Sequence, residues 1–267
     1  MKKTIILIPV YNDKGDLLKT LNSINEDDDN FEILIIDDGS VIPLTLPREK
    51  YKFKINVFRL SENMGITKAL NTGLDIISNR KDIDYIARLD AGDIQQPNRI
   101  TIQKKTFESD SELVMLGTNV KFYDTNNNYL FDTKLPLTDI QIKKEKYIRS
   151  CFIHPSVMFT KRIIDQGMRY STKFPAAEDY EFFLRIILNY KVANLDKPYV
   201  YCFDRATGIS IRKRNIQINS VLKCLFKHRD YTSTYWYFGV FKVLMQKIFP
   251  RKVFNIIKSK QKCLRQQ

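Results

Sequence analysis

Continuous apolar runs alternate with amphipathic segments along the first 95 residues. Runs such as residues 4–10 and 31–36 are typical of strands covered on both faces, whereas Leu17, Leu21 and Ile24 recur at helical spacing. The pattern predicts strand, helix, strand, strand, helix and strand over residues 4–10, 14–25, 31–36, 53–60, 65–78 and 83–89. This order predicts an α/β fold, with an open, mostly parallel sheet and helices on both faces.

The pattern is less regular from residue 96 onwards. It predicts three strands, near 113–123, 129–132 and 192–201. It also predicts four helices in the body of the chain, over 97–108, 138–148, 161–166 and 176–190. We find no internal repeat and no Gly/Ser-rich linker, and the length fits one large domain, or one domain plus an appendage.

Charge divides the 267-residue chain into a neutral body and a basic tail. Residues 1–204 carry 29 Lys and Arg and 29 acids, whereas residues 205–267 carry 15 Lys and Arg and one acid, Asp230. The formal net charge of +14 therefore lies entirely in the tail. A tail of this kind is expected to face something anionic, such as a membrane, a nucleic acid or a phosphorylated substrate.

Composition excludes several classes of protein. With 28% charged residues, nine Gly and nine Pro, the chain is neither disordered nor collagenous. Its apolar runs fall short of the roughly 20 residues that span a bilayer, so no transmembrane helix is predicted. The first apolar run stops at Pro9, which is too short for a signal peptide. The four cysteines form no Cys-x-x-Cys pair, which favours reduced thiols in a cytoplasm over a disulfide framework.

Polar clusters follow three of the predicted strands. Pro9-Val10-Tyr11-Asn12, Asp37-Asp38 and Asp90-Ala91-Gly92-Asp93 each stand at the carboxyl end of a strand, the edge where open α/β sheets bind ligands. A tyrosine there can stack on a base, and grouped carboxylates suit Mg²⁺ or Mn²⁺ on a diphosphate. The alternative is that each acid only caps a following helix. No GxGxxG or GxxxxGK[ST] loop is present, which argues against dinucleotide redox chemistry and P-loop phosphate binding.

Further motifs follow the three polar clusters. They are Asn63-Met64-Gly65 with Ala69, Asn71 and Gly73, then His154-Pro155-Ser156-Val157-Met158, and finally Ala177-Glu178-Asp179-Tyr180-Glu181. Together with Pro9-Val10-Tyr11-Asn12, Asp37-Asp38-Gly39-Ser40 and Asp90-Ala91-Gly92-Asp93, these motifs resemble those of the family 2 glycosyltransferases, which have the Rossmann-like GT-A fold. The motifs that begin at His154 and Ala177 are similar to a bacterial branch of that family, which builds lipopolysaccharide, O-antigen and capsule repeat units.

The resemblance covers roughly residues 4–205 and implies a division of the chain. It implies a GT-A domain over residues 1–204, with a nucleotide-sugar-binding half at 1–95 and an acceptor and catalytic half at 96–204. Residues 205–267 then form a basic, amphipathic, helical C-terminal region.

The resemblance also implies residues that bind the nucleotide. Pro9, Tyr11 and Asp38 stand where the family binds the uracil and ribose of a UDP-sugar. Lys68 stands where many members have a basic residue near the nucleotide. Asp90 begins the DxD-type motif, which holds the donor ribose, the metal and the diphosphate.

The motif at Asp90 departs from the pattern of many relatives. Those relatives read Asp-x-Asp-Asp, whereas this chain has Gly92 at the third position, and a glycine has no side chain to bind a metal. Either Asp93 supplies the carboxylate for Mn²⁺ or Mg²⁺, or Asp90 does so together with waters.

Asp179, preceded by Glu178, matches the catalytic base of the family, which accepts the proton of the acceptor hydroxyl in an inverting transfer. Taken without the family, Asp179 is an acid favoured by the helix macrodipole at a helix N-terminus. His154 either faces the acceptor or the diphosphate, or is a hydrogen-bonded structural histidine. Arg205 resembles a segment that closes over the diphosphate, with an ordinary surface arginine as the alternative.

The resemblance therefore implies an inverting enzyme that transfers one sugar from a UDP-sugar. A processive polymerase is not expected, because it needs several spanning helices and the sequence has no QxxRW-type motif. The sugar is of the galactose, glucose or N-acetylamino type, and the acceptor is a sugar on a polyprenyl diphosphate. A dTDP- or GDP-sugar is the alternative donor. A nucleotidyltransferase is less compatible, because the chain lacks a Gly-rich basic loop after the first strand.

The basic tail has two interpretations. Helices are predicted over residues 214–229 and 234–249, and Lys242 and Lys247 interrupt the second, aromatic one. In the first interpretation this helix lies in the interface of an anionic membrane, on the inner face of the bacterial cytoplasmic membrane. In the second it packs on the body with a solvated basic face. Nucleic acid is not expected as a partner, because acids line the predicted cleft and repel phosphates.

Overall fold

A nine-stranded sheet runs through the described residues, 2–204 and 214–249, of a computed structural model. The strands are β1 (Thr4–Val10), β2 (Phe31–Asp37), β3 (Lys54–Arg59), β4 (Tyr85–Arg88), β5 (Ile94–Gln95), β6 (Leu113–Asp124), β7 (Tyr129–Asp132), β8 (Met158–Thr160) and β9 (Lys191–Asp204). Their order is β3-β2-β1-β4-β8-β6-β9-β5, with β7 paired to β6. Only β5, β7 and β8 run opposite to the others in this described sheet, which confirms a mostly parallel sheet.

Helices cover both faces of this sheet and form a C-terminal hairpin. They are α1 (Lys14–Ser23), α2 (Ile66–Ser78), α3 (Arg99–Ser109), α4 (Asp139–Glu145), α5 (Lys161–Asp165), α6 (Glu178–Asn189), α7 (Arg214–Lys227) and α8 (Thr234–Ile248). Every predicted element is present, with bounds that agree to within three residues. The sequence pattern did not predict β5 and β8, because strands of two and three residues have no periodicity to detect.

Alternation along β1 explains why both faces are covered. Ile5 and Leu7 pack into one buried cluster with residues of α2 and α6, whereas Ile6 and Ile8 pack into another with residues of α1 and α3. Successive side chains of a strand point to opposite faces, so a strand that is apolar throughout needs cover on both. The helices on both faces, expected from the sequence, are confirmed.

Two residues of the Asn63–Gly73 motif set the position of α2. Gly73 lies against β1 so closely that a Cβ there would be 2.4 Å from Leu7 Cδ1. Asn71 brackets the backbone of Tyr170, because its Nδ2 donates to the Tyr170 carbonyl and its Oδ1 accepts from the Tyr170 N–H, both at 2.8 Å. The motif therefore fixes a helix beside the strand ends and ties Tyr170 to it.

The C-terminal hairpin, α7 and α8, packs on the body. Trp236 is buried in a cluster with Tyr147 and Phe174, and its Nε1 donates to the carbonyl of Leu225 at 2.8 Å. Gly239 lies directly against the backbone of Tyr147, where a Cβ would be 2.2 Å from the carbonyl oxygen. One face of α8 is thus part of the core. None of the helices in the described ranges is long and apolar enough to cross a membrane.

Candidate active site

A cavity of about 310 Å³ lies at the carboxyl ends of β1 and β4, where the three polar clusters were expected to meet. It brings together six residues predicted for the site, namely Pro9, Tyr11, Asp90, His154, Glu178 and Asp179. Its other lining residues are Val10, Asp13, Ile66, Ala91, Ala176 and Gln217. Pro9 and Asp179, which are far apart in the sequence, therefore line the same cavity.

A second cavity, of about 450 Å³, shares four lining residues with the first: Asp90, Ala91, His154 and Asp179. Gly92 and Asp93 line this second cavity only. Neither cavity has a Lys or Arg among its described lining residues. Both cavities are lined by carboxyl groups, and Asp90 and Asp179 lie where the cavities meet.

Behind the cleft, a buried arginine holds the Asp90 carboxylate. Arg88 is inaccessible to solvent, and its Nη2 donates to Asp90 Oδ1, which is itself partly exposed. The same guanidinium donates from Nη1 to the carbonyls of Leu7 and Leu89. Because the guanidinium is fixed by the backbone of β1 and β4, the carboxylate it holds is fixed as well.

His154 belongs to the same network. Its Nε2 accepts a hydrogen bond from Arg88 Nε at 3.3 Å and lies 2.9 Å from the hydroxyl of Tyr170. Burial, together with the positive charge of Arg88, lowers the pKa of His154 to about 3. Burial also raises the pKa of Tyr170. His154 is therefore neutral at physiological pH, and its contacts fit a positioning role between Arg88 and Tyr170.

Asp179 stands in the first turn of α6, with its carboxylate in the cleft. Burial raises the pKa of this carboxyl and the nearby charge of Asp90 raises it further, while hydrogen bonds from backbone N–H groups, Tyr180 among them, oppose the shift. Just before the helix, Ala176 has a φ of 60°, a left-handed conformation that is strained for alanine. Strain of this kind often occurs at functional sites, where the backbone must place a side chain closely.

Other motif residues serve the loops around the cleft instead of lining it. Asp38 is buried, and its two carboxylate oxygens accept from the N–H groups of Met64 and Gly65 at 2.8 and 2.9 Å. Ser40 Oγ accepts from the N–H of Asn12 at 2.9 Å, so the loops after β1 and β2 are joined. Asp38 thus fixes the start of α2, and its assignment to uracil stays a prediction.

Two further predicted residues lie outside the first cavity, and one lies outside the described residues. Lys68 is exposed on the first turn of α2 and does not line either cavity. Asp93 is nearly buried, and its Oδ1 accepts from the N–H of Phe203 at 3.3 Å. Arg205 falls in the part of the chain that the structure does not describe.

The residues present fit a metal only in part. In the described part of the chain, no three His, Cys, Asp or Glu side chains converge on a metal position. Asp90 offers one accessible carboxylate, and Mg²⁺ is commonly held by one or two carboxylates together with substrate phosphates. Gly92 has a φ of 99°, and its N–H donates to Thr20 Oγ1 at 2.8 Å. Glycine at this position therefore matches the backbone of the turn, since such a φ is unfavourable for other residues.

Sequence reasoning missed three residues of this site. Arg88 lies in an apolar run and Tyr170 in a segment of mixed composition, so neither belongs to a polar cluster, although the charge inside the run of residues 83–89 was a detectable signal. Gln217 comes from α7 and lines the first cavity, so the C-terminal hairpin contributes to the cleft. Nothing in the sequence around Gln217 indicates this, because it depends on how the hairpin packs.

Comparisons with known proteins identify relatives of this chain. The family model described as Glycosyl transferase family 2 matches residues 5–168. The chain is 30% identical over 217 residues to the amylovoran biosynthesis glycosyltransferase AmsE of Erwinia amylovora, covering 78% of each chain. It is 24% identical to the O-antigen biosynthesis glycosyltransferase WbnJ of Escherichia coli, covering 76% of this chain and 85% of WbnJ. The bifunctional glycosyltransferase pgtA of Dictyostelium discoideum is 27% identical, but the match spans only 32% of pgtA.

Solved structures share the fold. TarS 1-349 of S. aureus in complex with UDP matches with a TM-score of 0.67 at 18% identity, covering 94% of this chain and 73% of that one. The same fragment in complex with UDP-GlcNAc gives a TM-score of 0.66 at 19% identity, covering 91% and 71%. The mannosyltransferase PcManGT from Pyrobaculum calidifontis, with GDP-Man and Mn²⁺, gives 0.57 at 13% identity, covering 90% and 68%. These likenesses confirm the expected GT-A fold.

Proposed function

The chain belongs to glycosyl transferase family 2, and from this premise we propose that it transfers a single sugar from a UDP-sugar to a lipid-linked acceptor, with inversion. The observation that carries the proposal is the single cavity lined by Tyr11, Asp90 and Asp179. In this proposal residues 1–95 bind the nucleotide sugar, and residues 96–204 supply the base and bind the acceptor. Residues 205–267 face the membrane and contribute Gln217 to the cleft.

We assign the donor nucleotide to the end of the first cavity that Pro9 and Tyr11 line. Tyr11 is 46% exposed, which leaves its ring available for stacking on a base. The complexes of TarS with UDP and UDP-GlcNAc support UDP as the carrier. Asp38 contributes indirectly in this proposal, because it holds the Met64–Gly65 backbone from which α2 starts.

The carboxylates of the cleft support a divalent cation as cofactor. A diphosphate next to Asp90, Glu178 and Asp179 brings negative charge of its own beside carboxylate oxygens, which are the ligands that Mg²⁺ and Mn²⁺ prefer. Mn²⁺ or Mg²⁺ bound by Asp90 would offset this charge and stabilise the leaving UDP. Asp93 remains the second candidate ligand, from the side of the second cavity. The Mn²⁺ complex of PcManGT supports this cofactor.

Asp179 is the proposed general base. A hydroxyl of the acceptor attacks the anomeric carbon of the donor sugar from the face opposite UDP. The new bond joins the acceptor oxygen to this carbon while the bond from the carbon to the diphosphate oxygen breaks, so UDP leaves with both electrons. The hydroxyl proton passes to the Asp179 carboxylate, which must lie about 3 Å from the hydroxyl. A raised pKa suits this role, because it brings the carboxylate closer to the basicity that proton transfer needs.

The names of two relatives support the class of acceptor. AmsE is named for amylovoran biosynthesis and WbnJ for O-antigen biosynthesis. We therefore propose that the acceptor sugar is linked to a polyprenyl diphosphate and that the protein meets it on the inner face of the cytoplasmic membrane. The basic residues 205–267 suit such an anionic surface.

Calorimetric titration tests the donor assignment. We expect UDP to bind in the micromolar range in the presence of Mn²⁺ and more weakly without it. Tyr11→Ala should weaken binding, whereas Tyr129→Ala, an exposed tyrosine on β7, serves as the matched control. Binding of GDP in preference to UDP would support the second candidate, a GDP-sugar, for which the GDP-Man complex of PcManGT is the precedent. Failure of UDP, GDP and dTDP to bind would contradict the proposed function.

A further inference from the structure

We propose that the outward face of α8 is a docking surface for a bilayer of anionic lipid. The surface, here called the outward stripe, consists of Tyr237, Phe241, Leu244 and Ile248. The proposal deepens the proposed function and rests on it for one point only, that the acceptor is linked to lipid. The docking itself is argued from exposure, spacing and charge.

The outward stripe is continuous and unusually apolar for an exposed surface. Its residues follow each other at intervals of four, three and four, which places them on one side of a helix. They are 52%, 58%, 42% and 71% exposed, and Phe238 at the margin is also exposed. A row of large apolar side chains on the surface indicates an interaction site, whereas single exposed ones are ordinary.

The opposite side of α8 is already used by the fold. Trp236, Gly239 and Val243 are buried against the body. Because this buried side already packs on the body, a small shift of α8 would not bury the outward stripe. A helix that is apolar on all sides requires cover all round, and the body covers only one side of α8.

Charge selects the partner. From Tyr231 to Gln267 the sequence contains eight Lys and Arg and no acid. Aromatic and aliphatic side chains surrounded by a purely basic sequence are typical of helices that lie in the interface of anionic membranes. At 15 residues, α8 is too short to span a bilayer but long enough to lie along its surface.

The position of the outward stripe relative to the cleft agrees with a reaction at the membrane. Arg214 at the start of α7 donates from Nη2 to the carbonyl of Gln246, at 2.7 Å, and to that of Phe249. Three residues further along α7, Gln217 lines the first cavity. The end of the outward stripe at Ile248 is therefore close to the element that lines the cleft, so docking would bring the cleft near lipid-linked sugars.

Sedimentation with vesicles tests the proposal on the full chain. We expect the protein to bind vesicles of phosphatidylethanolamine and phosphatidylglycerol, to bind less as salt is added, and to bind phosphatidylcholine vesicles much more weakly. Phe241→Ser combined with Leu244→Ser should lower binding to the anionic vesicles at least about tenfold, because two buried apolar contacts are lost. Ile248→Ser, at the exposed end of the helix, provides a second variant if the first does not fold.

Phe58→Ser is the matched control, since Phe58 is also exposed but lies on β3 at the far edge of the sheet. Circular dichroism of every variant checks folding. Equal vesicle binding by wild type and stripe variants would overturn the proposal, and so would a wild type that ignores anionic vesicles. A wild-type dimer that binds no vesicles, and that the stripe variants convert to a monomer, would overturn it too. UDP titration is independent of docking, so it reports separately on the proposed function.

Discussion

The strand ends of the parallel sheet and the C-terminal hairpin use their side chains in opposite ways. At the strand ends, polar residues of similar type do different work, as Asp38 fixes a loop while Asp90 faces the cleft. In α8, apolar residues a few positions apart differ likewise, as Trp236 is core while Phe241 is exposed. At the strand ends, residues that stabilise the fold stand next to residues that line the cleft. In α8, one side of the helix packs in the core and the other side is exposed.

This comparison predicts that the transfer rate falls most when a residue is changed that lines the cleft and contributes little to stability. Asp179→Asn removes the proposed base, and we expect the transfer rate to fall about a thousand-fold. UDP affinity and the free energy of unfolding should change little, because the Asp179 carboxylate accepts its hydrogen bond from within its own helix. The wild-type rate should also fall as pH drops through the raised pKa of Asp179, since the base becomes protonated.

Steady-state kinetics with UDP calorimetry checks this prediction. Asp165→Asn is the control, an exposed acid on α5 away from the cleft. A large loss of UDP affinity in Asp179→Asn would move Asp179 from the base role to nucleotide binding. A raised KM with an unchanged maximal rate would make it an acceptor contact instead.

In the hairpin, we expect a substitution in the core to lower stability instead of the rate of transfer. Trp236→Ala removes a buried ring and its hydrogen bond to Leu225, and we expect the free energy of unfolding to fall by about 3–5 kcal/mol. The intrinsic chemistry should survive in the fraction that stays folded. Denaturant unfolding measures the effect, and Tyr237→Ala, the exposed neighbour, should cost much less. Equal costs at the two positions would contradict the two-sided description of α8.

A buried carboxylate joins the hairpin to the body and makes this joint sensitive to acid. Glu181 on α6 is inaccessible to solvent, and its Oε1 accepts from Lys227 Nζ at 2.8 Å while Arg185 holds Oε2. Burial opposes ionisation, but His228, Lys227 and Arg185 outweigh it and lower the pKa of Glu181 from 4.5 to about 2. A carboxyl group whose pKa is lower in the folded protein than in the unfolded chain stabilises the fold at every pH above its pKa in the unfolded chain. This stabilisation is lost as the pH falls towards its pKa in the folded protein.

We therefore expect the hairpin to lose stability, on the order of 3 kcal/mol, between pH 4.5 and about 2. Tryptophan fluorescence reports on the joint directly, because Trp236 is the only tryptophan in the sequence and packs in one buried cluster with Tyr147 and Phe174 of the body. Glu181→Gln should be less stable at neutral pH and should show a smaller change over this range. An identical acid profile in wild type and Glu181→Gln would assign the acid sensitivity elsewhere.

The sequence predicted the strand ends far better than the hairpin, for a physical reason. Buried parallel strands are apolar runs that end in polar clusters, so the positions of Tyr11 and Asp90 could be predicted from local pattern. Local pattern does not show which polar residue faces a cavity, so the loop contacts of Asp38 became visible only in three dimensions. The hairpin helices were predicted by periodicity, but the packing of Gly239 on Tyr147 is a long-range contact with no local signal.

Asp38→Ala tests the strand ends where fold and site are coupled. The substitution leaves the N–H groups of Met64 and Gly65 without their carboxylate, and we expect a loss of about 1–3 kcal/mol in the free energy of unfolding. UDP affinity should weaken as well, because the displaced loop precedes α2 at the cleft. Paired thermal unfolding and UDP calorimetry measure both effects. Loss of UDP affinity with unchanged stability would instead favour a direct contact of Asp38 with uracil.

The smallest effect is expected where the two regions meet, at Gln217. This residue lies on the hairpin but lines the first cavity, so we expect its amide to contact the acceptor sugar. Gln217→Ala should lower the transfer rate by up to about tenfold, which is the effect of losing one hydrogen bond. UDP affinity should stay within about twofold, and the free energy of unfolding should change little. Asn219→Ala, which removes an exposed amide on the same helix, should change none of these. Because hydrolysis of the UDP-sugar needs no acceptor, unchanged hydrolysis with reduced transfer would place Gln217 on the acceptor side, and equal loss of both would place it with the donor.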